Sequence, residues 1–286
     1  MPTLRDIKRR IKAVKNTRQI TKAMKMVAAA KLRKVQGKML DMRPYSEKMS
    51  LVISDLASRA DVGIHPLLEA RPRRAVEVLV FTSDRGLCGA FNANILRQSS
   101  ATISKLRAEG FEVSVSSVGR KALDYFKRRN IPLRRSWTGM SGAVLFTGAQ
   151  EIAKEMMDSY INETFDELIL VYNEFKTVIS QQVVSKVLLP LAPIEAQSSG
   201  ATDYIYEPSE QEIFNNLLPK NVEVQIYRAL LESQASEEAA RMTAMENATK
   251  SANEMIDRLT LLYNKARQAA ITKELMDIVG GVEALK

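Results

Sequence analysis

Residues 4–42 read LRDIKRRIKAVKNTRQITKAMKMVAAAKLRKVQGKMLDM, with one glycine, Gly37, and no proline. Apolar side chains fall at Leu4, Ile7, Ile11 and Val14, and again at Ala28, Leu32, Val35, Met39 and Met42. Steps of three and four alternate, the signature of a helix with a narrow apolar seam. Between the two runs the seam drifts to Ile20, Met24 and Val27, a shift that changes local supercoiling without ending a helix. Pro44 removes a backbone donor and is a candidate kink, yet Met49, Val52, Ile53 and Leu56 carry the pattern to about residue 58. A helix over 3–58 is roughly 80 Å long, far beyond the usual globular helix.

The other end of the chain mirrors this. No proline occurs from residue 222 to Lys286. Heptad positions from Leu231 through Ala235, Met242, Met245, Ala252, Ile256, Leu259, Tyr263 and Ala266 to Ala270 form a second seam, which Glu238 breaks and Thr249 weakens. The seam slips by one position near residue 270 and resumes at Ile271, Leu275, Ile278, Val282 and Leu285, which suggests that a partner helix departs there. Gly280 and Gly281 favour fraying. Two long helices at opposite ends can bury both seams by pairing antiparallel within one chain, or with a second copy. The middle favours the first arrangement, because it reads as one compact domain that brings the ends together.

That middle alternates strand and helix. Strands are expected at 75–81 (AVEVLVF), 111–118, 165–174 and 178–189, and helices at 91–108, 119–129 and 147–162. The order implies a mostly parallel sheet with covering helices and an antiparallel hairpin around 175–177 at one edge. Residues 195–202 (EAQSSGAT) read as a loop. The expected fold class is therefore α/β: a long antiparallel two-helix coiled coil plus a central Rossmann-like domain. The expected division is 1–58 for the first helix, 74–195 for the α/β domain, 196–221 for a loop and foot, and 222–286 for the last helix.

The net charge of +9 is unevenly spread: residues 1–43 hold fourteen Lys/Arg against Asp6 and Asp41. Such a surface attracts acidic partners, whether nucleic acid, anionic lipid or acidic protein loops. No aromatic residue precedes Tyr45, so base stacking has no support. A basic, acid-poor start also suits a mitochondrial transit peptide, but the helical pattern begins at Leu4 and leaves no room for a removable segment. A single cysteine, Cys88, excludes an internal disulfide, and His65 is the one histidine. No run of eighteen apolar residues marks a membrane span.

Two further segments stand out. TSDRGLCGA at 82–90 follows a strand and precedes a helix, where anions bind in open sheets. It lacks both phosphate-loop fingerprints, so a tight turn, eased at Gly86 and Gly89, is the simpler reading. DYIYEP at 203–208 places two tyrosines on one side of a short strand, as interface anchors or as core. No catalytic constellation emerges, and no cofactor is expected.

IKAVKNTRQITKAMKMVAAAKLRK (11–34), SDRGLCGAFN (83–92), TDYIYEP (202–208) and YNKARQAAITKELMDIVGG (263–281) together resemble the gamma subunit of F-type ATP synthases, bacterial type, over essentially the whole chain. Ala90 and Phe91 depart from the glycine-leucine pair frequent in that family. The resemblance implies a non-catalytic rotor shaft. It turns inside the hexamer of alpha and beta subunits and couples proton flow through the membrane c-ring to ATP synthesis or hydrolysis in beta. By the same resemblance Met24 faces an acidic lever loop of beta, with Lys22, Lys25 and Lys31 nearby. Arg267, Gln268, Thr272, Glu274 and Arg241 meet the hexamer's catch loops. Tyr204, Tyr206 and Glu207 form a foot on the membrane ring. The α/β domain docks the epsilon subunit. Neither nucleic acid nor a small-molecule substrate is implied, and the location is peripheral, on the cytoplasmic face of the bacterial plasma membrane.

Overall fold

Thr3 starts the first helix with a reciprocal cap. Its hydroxyl accepts from the Asp6 N–H at 3.2 Å and donates to the Asp6 carboxylate at 2.7 Å, and that carboxylate also accepts from the Thr3 N–H. From there α1 runs unbroken over Leu4–Arg59. A computed structural model of the chain describes residues 3–59, 65–140, 146–191 and 210–283. The elements that follow are β1 (Ala75–Phe81), α2 (Phe91–Ala108), β2 (Glu112–Val118), α3 (Arg120–Arg128), β3 (Ser136–Trp137), α4 (Phe146–Ile161), β4 (Glu167–Phe175), β5 (Gln181–Leu189) and α5 (Glu210–Glu283). The chain divides into two compact units: Met1–Ala28 with Met242–Lys286, and Ala29–Arg241.

The first unit is a pair of antiparallel helix segments. Arg18 bonds Asn253 at 3.2 Å, the Thr21 and Thr249 hydroxyls meet at 2.8 Å, and Lys25 bonds Glu246 at 2.6 Å. Ile7, Ala28, Met245, Ala252 and Ile256 are buried along the seam. Carried along at this constant offset, Leu4 falls opposite about residue 267. The seam slip near residue 270 therefore coincides with the first turn of α1. Beyond that point Ile271, Leu275, Met276, Ile278 and Val279 are all exposed.

The second unit is built on a five-stranded sheet of order β3-β2-β1-β4-β5. β1 pairs parallel with β2 and with β4, β3 pairs parallel with β2, and β5 is the antiparallel edge. Val76, Val78 and Val80 of β1 face one side, against Phe91, Ile95 and Ile103 of α2 and Ala122 and Phe126 of α3. By alternation Glu77, Leu79 and Phe81 face the other; there Arg134 bonds the buried Glu77 at 3.2 Å and Glu155 at 3.0 Å.

Between sheet and α1 runs the stretch LLESQASEEAA of α5, in which every residue from Leu230 to Ala239 is buried. Its polar side chains have specific partners. Glu232 accepts from the Phe175 N–H at 2.9 Å and from Arg43 at 3.0 Å, and the Ser236 hydroxyl donates to the Asn173 carbonyl at 3.3 Å. Glu238, which breaks the sequence seam, is bound by Arg241 at 2.9 Å, with Lys31 at 3.7 Å.

Three local expectations change. The last helix begins at Glu210 instead of 222 and passes through Pro219. Phe214, Leu218 and Val222, four apart and fully buried, hold the segment helical, and the carbonyl four residues before Pro219 belongs to exposed Asn215, where water can bond it. Pro44 is carried within α1 in the same way, above exposed Leu40. In the turn after β1 the left-handed residues are Leu87 (φ 63°) and Gly89 (φ 57°), so the strain expected at Gly86 falls on Leu87. The β4–β5 turn lies at 176–180, slightly later than read. The loop expected at 195–202 lies outside the described residues.

Candidate functional site

In an open α/β sheet the ligand crevice lies beyond the strand carboxyl ends, where chain order reverses. Here that place is the end of β1. The structure fills it from within. Leu230, Ser233, Gln234 and Glu237 of α5 close over Phe81, Thr82, Val118, Gly119 and Met140, leaving a cavity of about 20 Å3, room for one water molecule. Gly119 is essential to the closure, because at φ 97° a Cβ there would lie 2.1 Å from the Thr82 carbonyl oxygen. The turn is tied internally as well: the Ser83 N–H donates to the Asn92 carboxamide at 3.0 Å, and that amide group donates to the Ser83 hydroxyl at 2.8 Å. Cys88 is buried beside them, and burial pushes its thiol pKa up, away from the reactive thiolate. Among the described residues, no group of three His, Cys, Asp or Glu side chains could hold a metal ion. The 82–90 turn is a packing element.

The residues singled out from sequence lie instead on the helices, where they are described. In the first unit Arg18, Gln19, Lys22, Lys25 and Met26 of α1 line an open groove with Glu246, Thr249, Lys250 and Asn253 of α5. Lys22 is exposed and Lys25 half-exposed, spanned to Glu246. Met24 is half-buried, whereas its neighbours Met26 and Val27 are 60% and 56% exposed. The outermost apolar surface of TKAMKMVAAAK is thus two residues beyond the position singled out from sequence.

Arg267, Gln268, Thr272 and Glu274 are all exposed on α5 of the same unit. The Thr272 hydroxyl donates back to the Gln268 carbonyl at 2.9 Å. They lie about 30–40 Å along the helix from Glu246 at the helical rise, so this group and the basic groove are distinct patches.

In the second unit Lys31 is half-exposed and reaches toward Glu238, and Arg241 is buried. Its guanidinium is held by Glu237 at 2.6 Å and Glu238 at 2.9 Å. It is not displayed as Arg267 is. Tyr204, Tyr206 and Glu207 lie outside the described residues. Residues that the sequence reading passed over include Glu232 and Glu237, whose carboxylates in an apparently polar helix stretch carry no hint of burial. Burial pushes the Glu237 carboxyl up to about 7, against the pull of Arg241.

The family model described as ATP synthase matches residues 3–285. A protein of Anaeromyxobacter sp. (strain Fw109-5) named ATP synthase gamma chain is 50% identical over 291 residues, covering all of both chains. The chain belongs to the ATP synthase gamma-chain family. The gamma chain of Geobacter metallireducens is 47% identical, again over both full lengths. Among solved structures, a chain from the Tetrahymena thermophila mitochondrial ATP synthase central stalk and c-ring is 29% identical, with a TM-score of 0.60, covering 80% of this chain and 99% of that one. A chain of the Euglena gracilis mitochondrial enzyme, 23% identical, shares the fold at a TM-score of 0.68, covering 99% and 94%. As a gamma chain the protein is a central-stalk subunit of ATP synthase and not a catalytic one. It is part of a membrane-associated complex, and no described helix is long and apolar enough to cross a membrane.

Proposed function

We propose that this gamma chain is the rotor shaft itself, turning inside the hexamer of alpha and beta subunits and coupling proton flow through the c-ring to ATP synthesis or hydrolysis in beta. The observation that carries this reading is the end of α5. From Ile271 to Val279 its apolar side chains have no cover from α1, and a row of large hydrophobic residues on a single helix calls for a surrounding partner. A helix that must rotate within a sleeve needs apolar contact, and Ile271, Leu275, Met276, Ile278 and Val279 of this segment offer it. Arg267 and Gln268 at its base, with Thr272 and Glu274 within it, are placed to engage the sleeve's loops. The basic groove around Lys22 and Lys25, capped by Met26, suits the acidic lever loops of beta. We assign Met24 a packing role beneath that contact, with Lys31 adding charge and Arg241 acting through its buried network.

On this reading the α/β domain docks epsilon, Tyr204, Tyr206 and Glu207 seat the foot on the membrane ring, and the protein is peripheral on the cytoplasmic face of the bacterial membrane. The division into helix 1–58, α/β domain 74–195, foot 196–221 and last helix from 222 is offered as a functional one, with the foot running into α5. The test is reconstitution: the chain is mixed with alpha and beta subunits and ATP hydrolysis is assayed. A stoichiometric complex with raised activity is expected. Failure to form it, with both partners folded, would refute the shaft role.

A further inference from the structure

Glu237 and Glu238 are neighbours on α5, with side chains 5% and 2% exposed, and they share the single guanidinium of Arg241. One oxygen of Glu238 is buried with no hydrogen-bond partner. A second cation, Lys31 of α1, approaches only Glu238, at 3.7 Å, and is itself half in solvent. From the turn after β1, Asp84 adds a third carboxylate to the field at Glu237. Asp84 is fixed there by the Arg120 and Gly139 N–H groups, both at 3.0 Å. Cys88, in the same turn, is close enough that the Glu237 charge opposes its ionisation. Glu237 also lines the water-sized cavity with Thr82, Ser233 and Gln234. Two buried carboxylates with a third nearby, held by one fully engaged cation and one half in solvent that reaches only Glu238, cannot all remain charged without cost.

We propose that Glu237 is a proton-binding site, and that its protonation governs how firmly α5 is seated against the strand ends. With the proton bound, Arg241 is left to balance Glu238 alone, and the neutral carboxyl borders the cavity without a desolvation penalty. With the proton lost, a second negative charge is confined beside Glu238 and Asp84. The inference does not depend on the rotor reading, because it concerns the isolated chain.

The sign follows from linkage. The folded carboxyl, pushed up to about 7 from 4.5, binds its proton more tightly than the unfolded one. Its contribution is fully present below pH 4.5 and is lost as pH rises toward and through 7. Across pH 5 to 8.5 the equilibrium constant for unfolding should therefore rise by roughly 70-fold on account of this group. His65 acts oppositely in part of that window, since burial lowers its pKa, so the test compares variants.

The experiment is urea unfolding of the full chain at pH 5 to 8.5, followed by Trp137 fluorescence, for wild type and Glu237→Gln. Glutamine stands in for the protonated acid. The variant is expected to lose most of the 70-fold dependence and to be more stable than wild type at pH 8.5. Equal pH slopes, or a variant less stable than wild type at pH 8.5 or unable to fold, would overturn the proposal. Infrared difference spectra of the native chain give a second measurement. A protonated carboxyl band should disappear between pH 6 and 8.5 in wild type and be missing in Glu237→Gln, and its absence from wild type would overturn the proposal equally.

Discussion

Replacing Glu232 by alanine should unseat the middle of α5. The side chain is completely buried and makes three attachments: the Phe175 N–H at the end of β4, the Arg43 guanidinium of α1 at 3.0 Å and 3.2 Å, and Arg228 one turn back at 3.9 Å. Alanine leaves the buried Phe175 N–H unpaired, a cost of about 1–3 kcal/mol. It also leaves Arg43 and Arg228 without their carboxylate, and removing one partner of a buried pair costs about 3–5 kcal/mol in total effect. The two estimates overlap, so a net loss of about 4 kcal/mol is expected. Glu232→Gln keeps an acceptor for Phe175 and loses only the charge, and should fall about halfway. The single tryptophan, Trp137, lies in the same compact unit, so its fluorescence in a urea titration reports on the unit concerned. At a slope of about 2 kcal/mol per molar urea, the alanine midpoint should drop by about 2 M. A drop under about 0.5 M, or additive losses in the Glu232→Ala, Arg43→Ala double variant, would refute the view that this carboxylate joins helix to sheet.

Gly119→Ala should destabilise the same unit by about 3 kcal/mol or more, because the added methyl collides with the Thr82 carbonyl and φ is 97°; urea unfolding measures it. Leu275→Asp with Ile278→Asp should leave the isolated chain within about 0.5 kcal/mol of wild type while abolishing activation of the reconstituted hexamer. Arg267→Ala with Gln268→Ala should likewise spare the fold, seen by circular dichroism, and reduce torque or assembly; loss of helicity would mean that they are structural. His65 accepts from the Leu67 N–H through Nδ1 and its pKa is lowered by burial. Stability should fall as pH drops below 6.5, and His65→Asn should remove that fall.

The two long helices and the parallel sheet were legible because each keeps its own type of periodicity, helical or alternating, over most of its length, despite the drift and slip in the two seams. Ile7 to Val14 and Val35 to Met39 step by three and four, and AVEVLVF needs no context to be a buried strand. Other features turn on partners that sequence order hides. Within LESQASEEAA the pattern shows only seam positions at Leu231 and Ala235 and a break at Glu238, yet Glu232 is met by Arg43 and the Phe175 N–H and Ser236 by the Asn173 carbonyl, which arrive from elements far away in the chain. The same holds for the start of α5, where Pro219 argues against helix and only the burial of Phe214 and Leu218 outweighs it. For the candidate site, exposure was the missing quantity. The motif that carries Met24 gives no indication that Met26 and Val27 are the more exposed, nor that Arg241 is buried while Arg267 is not.

The polar contacts described between α1 and α5 in the first unit lie within two turns, at Arg18, Thr21 and Lys25, while Ile7, Ala28, Met245, Ala252 and Ile256 of that seam are apolar. An apolar heptad seam tolerates sliding by one repeat, about 10 Å of axial travel. The Thr21 and Thr249 hydroxyls each bond a carbonyl of their own helix, at 3.0 Å and 2.8 Å, and meet one another at one offset alone. These few bonds therefore act as a vernier. They fix how far the last turns of α5 project past the start of α1, a reach of about 20 Å from residue 271 to 283. Thr21→Val with Thr249→Val would be expected to strengthen the seam and, at the same time, surrender control of that length.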